Sequence, residues 1–342
     1  MRGISILGVV ATHAELCHTR PAFIGVDIFF VLSGFLITCL LIQEFDRYNT
    51  FSLKRFYLRR ALRLLPALAA MLATFLALEW CLGRRENAVA LTHEAWQAIF
   101  YCRNWVSAFS PALSTGSFGH TWSLSIEEQF YLLWPPILLL MLRRTVSRAS
   151  LFHWVVLAAI LSAFVRLVLV FAGAGSLRLY CGTDTRCDAL LLGCAGAIAL
   201  CSGLGPKLAF VAVLRRWLAF VSAAGLIFLA FYSSFQFDVD VVLVYFLISL
   251  FALFVVLEVV SSENGLLCRA FSQRWLVYIG KVSYGLYLWH LPIFLRVQSQ
   301  HWGKPKELAV EFVFTAAVVL ASYYFLERPF LRLKEGFSYR SR

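Results

Sequence analysis

The stretch at residues 25–43, GVDIFFVLSGFLITCLLIQ, decides the fold class of this chain. Asp27 is its only charged residue, and a helix that crosses a bilayer needs about 20 mostly apolar residues. The whole chain shares this character, because 61% of its residues are hydrophobic and 15% are charged. Soluble domains are about half apolar and about one quarter charged. The sequence therefore predicts an all-α integral membrane protein.

Further segments of the chain resemble this stretch, and together they predict a polytopic bundle of about ten transmembrane helices. The other candidate spans are 3–16, 64–82, 121–142, 151–172, 187–201, 208–232, 239–260, 275–297 and 307–326. The segments 3–16 and 187–201 are short for a complete crossing. This pattern divides the chain into a transmembrane domain over residues 1–326 and a short basic cytoplasmic tail over residues 327–342.

The basic residues are unevenly distributed between alternate loops. With a cytoplasmic N-terminus, the inner loops hold about twice as many Lys and Arg residues as the outer loops, and such residues favour the cytoplasmic side. Both termini are therefore predicted to be cytoplasmic. The formal net charge of +12 does not indicate nucleic acid, because it is not gathered on one soluble face. The partner that this distribution predicts is the lipid bilayer.

Residues 83–120 form the longest segment without a predicted span, and this topology places them outside. The segment is rich in aromatic residues, so we expect it to lie on the membrane surface or to fold over a cavity.

The nine cysteines are scattered, and no spacing among them is typical of a metal site. We therefore predict no metal and expect the cysteines to act as small apolar packing residues. Outward-facing disulfides that join Cys81 to Cys102, or Cys181 to Cys187, are the alternative.

Ionisable groups within the predicted spans are costly, so each is a candidate for function. Arg2 and His13 lie about 16 Å apart along a helix. The histidine either acts as a general base, because it titrates near neutrality, or bonds a neighbouring carbonyl. Asp27 opens the second span and either caps that helix or orients a histidine. Gly34, beside Ser33, would allow close contact between helices.

The motif FYLRRALRLLP at 56–66 places several arginines close together at the predicted cytoplasmic start of the third span. Arg60 and Arg63 are three residues apart and share a helix face. A pair of guanidinium groups suits phosphate recognition. Topology signalling and contact with lipid headgroups are the alternative.

The motif HTWSLSIEEQFYLLWP at 120–135 begins with His120 and contains two adjacent carboxylates, Glu127 and Glu128. They point about 100° apart on a helix, so both cannot face lipid at low cost. At least one should meet a cavity or a cationic partner. A capping box between Ser125 and Glu128 is the structural alternative.

The motifs GTDTRCDALLLG at 182–193 and GKVSYGLYLWHLPI at 280–293 add further polar-cavity candidates. These candidates are Asp184, Arg186, Asp188, Lys281 and His290. The charges of the first motif either pair among themselves or line the outer mouth of a cavity. In the second motif Pro292 frees a backbone carbonyl, to which a polar side chain can bond.

Together and in this order, the motifs resemble those of the membrane-bound acyltransferase-3 family, the O-acyltransferases of cell-surface carbohydrates. The resemblance covers most of the chain. It rests on Arg2-x10-His13, GVDIFFVLSGFLI, Arg60-x-x-Arg63, HTWSLSIEEQFYLLWP, TDTRCDALLLG, SYGLYLWHLPI and FLERPF at 325–330.

The resemblance implies a ten-helix, multi-pass enzyme of the cell membrane, in bacteria the inner membrane. It would move an acyl group, expected to be acetyl, from cytoplasmic acyl-CoA to a hydroxyl of a cell-surface or lipid-linked carbohydrate. Acyl-CoA would be a co-substrate, and no permanently bound cofactor is expected. Some family members carry an extracytoplasmic hydrolase-like domain. This sequence shows none, so we expect it to act alone or with a separate extracytoplasmic partner.

The resemblance also implies roles for particular residues. His13 is the expected catalytic residue, and Glu128 or Asp27 would orient it and stabilise its protonated form. The residues implied in acyl-CoA binding are Arg60, Arg63 and Arg2. Direct transfer and an acyl-histidine intermediate are both open. The alternative from another class is a transporter or flippase of a glycan or small amphipathic substrate, in which the polar residues within the spans would form a path.

Overall fold

The computed structural model describes residues 1–16, 21–144, 146–203, 209–232 and 239–335, and every regular element in these ranges is helical. The helices are α1 (Arg2–His13), α2 (Pro21–Tyr48), α3 (Leu53–Cys81), α4 (Arg85–Ile99), α5 (Arg103–Phe109), α6 (Thr121–Arg143), α7 (Arg148–Phe171), α8 (Ser176–Cys181), α9 (Thr183–Cys201), α10 (Ala209–Tyr232), α11 (Val239–Ser261), α12 (Leu266–Phe271), α13 (Arg274–Gln298), α14 (Lys304–Ala321) and α15 (Arg328–Glu335). A 3-10 turn (Pro111–Leu113) precedes α6, and a π-helical turn (Ser322–Glu327) joins α14 to α15.

Each predicted span falls on a helix: α1, α2, α3, α6, α7, α9, α10, α11, α13 or α14. Within the described ranges, six segments are long and apolar enough to cross a membrane, namely Phe23–Tyr48, Leu53–Cys81, Arg148–Phe171, Val213–Phe231, Val242–Ser261 and Lys304–Leu333. The chain is therefore a multi-pass, all-α membrane protein, as predicted. The number of ten spans and the cytoplasmic position of both termini stay predictions.

Helices α2 and α9 pack closely because each presents a glycine to the backbone of the other. A Cβ atom on Gly34 would lie 1.9 Å from the carbonyl oxygen of Leu190. A Cβ atom on Gly193 would lie 2.1 Å from the carbonyl oxygen of Val31. Neither carbonyl can move away without shifting a helix, so both positions require glycine. The expectation that Gly34 permits close helix contact is confirmed.

Segment 83–120, which the sequence predicts to lie outside, folds into α4, α5 and the 3-10 turn, which rest on the helical bundle. Asn104 donates to the carbonyl of Cys181 (3.1 Å) and to Thr183 Oγ1 (2.9 Å), and accepts from Gln129 of α6 (2.9 Å). Several large apolar side chains of this segment are exposed: Trp96, Phe100, Phe109 and Leu113. The segment is thus anchored to α6 and α9 while its aromatic groups face outward.

The C-terminal part of the chain continues as helix. Helix α15 packs against α3, so the first part of the predicted tail is ordered on the bundle. Residues 336–342 of that tail lie outside the described residues.

The described cysteines are all free thiols. The alternative disulfides between Cys81 and Cys102, and between Cys181 and Cys187, are therefore wrong. Cys194 is buried and its Sγ lies 3.5 Å from the carbonyl oxygen of Gly34. It fills the space beside the α2–α9 contact, which is the packing role expected for these residues.

Candidate active site

Two histidines from different helices meet within the bundle. His13 is the last residue of α1, and His290 lies about two turns before the end of α13. The Nδ1 atom of His13 lies 3.1 Å from Nε2 of His290. On its other side, Nδ1 of His290 lies 2.9 Å from the carbonyl oxygen of Leu286. His290 is fully buried, whereas His13 is half-buried.

These two contacts determine where the protons of the pair lie. A carbonyl oxygen can only accept, so Nδ1 of His290 must carry the proton that bonds Leu286. In a neutral ring Nε2 then accepts, and it must accept from Nδ1–H of His13. The Nε2 atom of His13 is left with a free lone pair. His290 therefore favours the tautomer of His13 that a general base needs, and the His13 ring also bonds to the backbone carbonyl of Val9, one turn earlier on α1.

The main chain of His13 is held by a polar contact at the end of α1. The side-chain amide of Gln298 donates to the carbonyl oxygen of His13 (3.2 Å) and to Oε1 of Glu311 (2.9 Å). Glu311 is fully buried between α13 and α14. This bridge connects a carboxylate to one of the carbonyls that the end of a helix leaves without an internal partner.

A cavity opens beside α13 and leads toward the histidine pair. Its unoccupied space, including the part open to solvent, is about 700 Å³. Its polar and aromatic lining residues are Arg2, Phe29, Phe30, Ser33, Arg60, Arg63, Ser123, Glu127, Tyr131, Ser283, Tyr284 and Tyr287. Ser283, Tyr287 and His290 share one face of α13 because they recur at helical spacing. One helix face thus connects the cavity to the histidine pair.

The three predicted arginines line this cavity together. Arg60 is paired with Glu128, and its guanidinium lies 3.4 Å from the centre of the Tyr131 ring. Arg2 and Arg63 form no ion pair within the described part of the chain, and both face the cavity. The structure therefore brings together the arginines that we expected to act together.

Glu127 also lines the cavity, where its carboxylate accepts a hydrogen bond from Ser33. The adjacent carboxylates thus meet a cavity and a cation, as predicted for at least one of them. The capping box is wrong, because α6 begins at Thr121 and Ser125 lies inside it. Ser125 instead donates to the carbonyl of Thr121 (3.0 Å).

The cavity stops short of the histidine pair. Its lining ends at Ser123 and Tyr287, and neither His13 nor His290 is among its lining residues. The ring of Tyr287 lies 6.0 Å from the ring of His290, between centroids. His120 packs against both rings, at 5.2 Å from Tyr287 and 5.5 Å from His290. Tyr287 therefore separates the arginines from the pair.

The charges of the 182–193 motif lie elsewhere, in ion pairs between helices. Arg186 pairs with Asp27 of α2 (2.5 Å), and both side chains are 1% exposed. Asp188 pairs with Arg166 of α7, and both are buried. These residues do not line the cavity. They pair with other elements, and not among themselves as one of the two readings predicted.

The third charge of that motif, Asp184, pairs with Arg178 of α8 (2.5 Å). Lys281, another polar-cavity candidate, is exposed on the outside of α13. Neither residue lines the cavity.

Two expected roles of carboxylates are corrected by this geometry. Asp27 does not cap a helix, because α2 begins at Pro21 and Asp27 lies two turns inside it. Asp27 is bound to Arg186 and Glu128 to Arg60, whereas His13 contacts His290. Each carboxylate satisfies a buried guanidinium, which would otherwise be left unpaired at high cost. Neither orients His13.

The sequence analysis did not single out several residues of this site. They are Ser123, Tyr287 and Gln298. The helical spacing of Ser283, Tyr287 and His290 is a signal that could have identified Tyr287. No local pattern identifies Gln298, because its two partners lie on other helices, α1 and α14.

Comparisons with known proteins show the family of this chain. The profile of the acyltransferase-3 family, described as an acyltransferase domain, matches residues 1–327. The chain belongs to the acyltransferase-3 family.

Curated members with similar sequences are O-acetyltransferases. The peptidoglycan O-acetyltransferase OatA of Listeria monocytogenes is 33% identical over 370 residues, which cover 98% of this chain and 55% of that protein. The O-acetyltransferase OatA of Staphylococcus aureus is 32% identical over 351 residues, which cover 98% of this chain and 57% of that protein. The chain thus spans little more than half the length of these acyltransferase-3 relatives. No solved structure matches the chain.

Proposed function

We propose that this protein is a membrane O-acyltransferase that moves an acetyl group from acyl-CoA to a hydroxyl of a cell-wall or lipid-linked carbohydrate. The observation that carries the proposal is the His13–His290 contact of 3.1 Å, which leaves the Nε2 lone pair of His13 free. A neutral histidine so placed is a general base for an alcohol. Membership of the acyltransferase-3 family supports the reaction class.

The donor side of the proposed site is the arginine-lined cavity. The pyrophosphate and 3′-phosphate of CoA carry several negative charges, and Arg2 and Arg63 offer guanidinium groups that face the cavity. Arg60 is tied to Glu128 and stacked on Tyr131, so it presents a fixed edge. The narrow pantetheine arm then extends along α13 and brings the thioester to Tyr287.

The proposed reaction at His13 is one proton transfer coupled to one substitution. Nε2 of His13 takes the proton of the acceptor hydroxyl as the oxygen attacks the thioester carbon. The C–S bond breaks when the tetrahedral intermediate collapses, and the CoA thiolate takes the proton from His13. His290 keeps Nδ1 of His13 hydrogen-bonded throughout, which stabilises the imidazolium by orientation and polarity. The histidine is restored at the end of each cycle.

The acceptor is proposed from the printed names of the relatives, of which one is a peptidoglycan O-acetyltransferase. A polyhydroxylated carbohydrate fits a base that lies near the outer end of α13 and below the outward segment 83–120. In this proposal acyl-CoA enters from the cytoplasm of a bacterial cell, and the carbohydrate approaches from the opposite side.

The proposal is tested with the full chain in liposomes and acetyl-labelled acetyl-CoA. We expect His13→Ala to reduce CoA release and transfer by at least about 100-fold, since general bases contribute about 10²- to 10⁴-fold. His153→Ala is the matched control, because His153 is exposed on α7, outside the site. Undiminished turnover in His13→Ala, with normal melting behaviour, would refute the proposed base.

A further inference from the structure

The wall between the donor cavity and the histidine pair is a pair of hydroxyl groups. Ser123 of α6 and Tyr287 of α13 line the inner end of the cavity. Their oxygen atoms lie 2.7 Å apart. Tyr287 also donates to the carbonyl oxygen of His120, the residue that precedes α6. An acyl group that arrives through the cavity meets these hydroxyls before it meets His13.

The direction of each hydrogen bond in this wall is fixed by chemistry. The His120 carbonyl can only accept, so the single hydroxyl proton of Tyr287 is directed at it. The Ser123 hydroxyl must then donate to the Tyr287 oxygen. Such a chain is cooperative, because each donor polarises the next. The O–H group of Tyr287 is therefore a strengthened donor that stays neutral.

We propose that the Tyr287 hydroxyl, supported by Ser123, donates a hydrogen bond to the thioester carbonyl oxygen and stabilises the oxyanion that forms during transfer. This inference rests on the proposed acyl transfer and adds a catalytic residue to it. When the substrate binds, the Tyr287 O–H group gives up its hydrogen bond to the His120 carbonyl and donates to the substrate oxygen instead. No proton is transferred from Tyr287, and the balance of the reaction is unchanged.

The positions of the rings are consistent with separate roles for Tyr287, as oxyanion donor, and His13, as general base. The ring of His290 is near both, with its centroid 6.0 Å from that of Tyr287 and 5.1 Å from that of His13. A base that holds the acceptor oxygen and a donor that holds the carbonyl oxygen act on two atoms bonded to one carbon, so both groups must lie close to that carbon. In this arrangement the thioester carbon would lie next to His290, within reach of both groups.

Release of the His120 carbonyl has little cost. His120 is the N-cap residue of α6, and the carbonyl of an N-cap residue accepts the first hydrogen bond within its helix. It is therefore not left unpaired when Tyr287 rotates toward the substrate. The Tyr287 hydroxyl also lies in a partly desolvated environment, where a fixed dipole stabilises charge more strongly than in water.

The test compares Tyr287→Phe with the unchanged chain in liposomes. We expect kcat to fall by about 100- to 1,000-fold, as for the loss of one oxyanion donor, while KM for acetyl-CoA stays within about threefold. Tyr57→Phe is the matched control, because Tyr57 also donates to a carbonyl, that of Leu132 (2.8 Å), but does not line the cavity. A Tyr287→Phe variant that retains kcat within about threefold would overturn the proposal.

A second measurement is independent of how much of the variant is folded. A dithioester analogue of acetyl-CoA replaces the carbonyl oxygen with sulfur, which is a weaker hydrogen-bond acceptor. The ratio of the rate with acetyl-CoA to the rate with the dithioester measures the preference for oxygen. We expect this ratio to be at least about tenfold lower in Tyr287→Phe than in the unchanged chain. Equal preference in both would reject the oxyanion role. If His13→Ala is active, the proposed function itself fails; if His13→Ala is inactive and Tyr287→Phe is normal, only this inference fails.

Discussion

Two regions of this molecule bury arginines and carboxylates, and they do so in opposite ways. Between α2, α7 and α9, every buried charge is matched by an opposite one at hydrogen-bonding distance. The Asp27–Arg186 pair is 1% exposed on both sides. The guanidinium of Arg186 also lies 4.2 Å from the centre of the Tyr245 ring. These groups do not line the arginine-lined cavity.

In the donor cavity, between α1, α3, α6 and α13, the charges are only partly matched. Arg60 is paired with Glu128, but their side chains keep 20% and 13% exposure. Arg2 and Arg63 face the cavity. Charge in a membrane span therefore does not by itself indicate function. A buried charge with a complete partner belongs to the scaffold, whereas a charge that faces a cavity is available to a substrate.

Breaking the scaffold pair should give the largest effect on stability. Arg186→Leu leaves Asp27 buried without its partner, and such losses cost about 3–5 kcal/mol. We expect the free energy of unfolding in mixed micelles to fall by that amount, while kcat of the remaining folded protein changes little. The double variant Asp27→Leu/Arg186→Leu should regain most of the loss, since replacing a whole buried pair is often neutral. A large fall in kcat with unchanged unfolding would place this pair in the active site instead.

A change at His290 should have the next largest effect, and it should appear in the rate. His290→Leu removes the acceptor that fixes the tautomer of His13. We expect kcat to fall about 100-fold or more, with KM for acetyl-CoA unchanged.

The conservative variant sharpens this prediction. His290→Gln offers an amide oxygen that can accept from Nδ1–H of His13, so it should recover part of the lost rate. Equal losses in His290→Leu and His290→Gln would show that His290 contributes packing and not proton placement.

The fold class followed from the sequence because apolar length is a local property. Each candidate span, such as 25–43, could be read from its own residues, and each falls on a helix. Helix boundaries were less accessible: α2 begins at Pro21, two turns before Asp27. Because of this error, Asp27 was considered a possible helix cap, although it is a buried ion-pair partner.

Only part of the site could be predicted from the sequence. The arginine cluster could be inferred because Arg60 and Arg63 lie one turn apart on α3. The partner of His13 could not be chosen, because Asp27, Glu128 and His290 all lie far from it in sequence. That choice depends on which helices are neighbours, and α1 packs against both α2 and α13.

A smaller effect is expected in the donor cavity itself. Arg63→Gln removes one cavity-facing guanidinium, and we expect KM for acetyl-CoA to rise about tenfold, near the value of one charge-assisted hydrogen bond. The value of kcat should change little. Arg59→Gln is the matched control, because Arg59 lies next to the cavity but pairs with Glu44 (3.4 Å). If both variants raise KM equally, the effect is one of general surface charge.

The smallest effect is expected at the bridge from Glu311 through Gln298 to the carbonyl of His13. Glu311→Leu removes one buried hydrogen bond, which contributes about 1 kcal/mol, and frees the amide of Gln298 to turn away from α1. We expect a comparable loss in the free energy of unfolding and a fall in kcat of about fivefold. Glu311→Gln keeps an oxygen that accepts from Gln298, so it should retain both. If the two variants lose stability equally and kcat is untouched, Glu311 belongs to the scaffold, like Asp27.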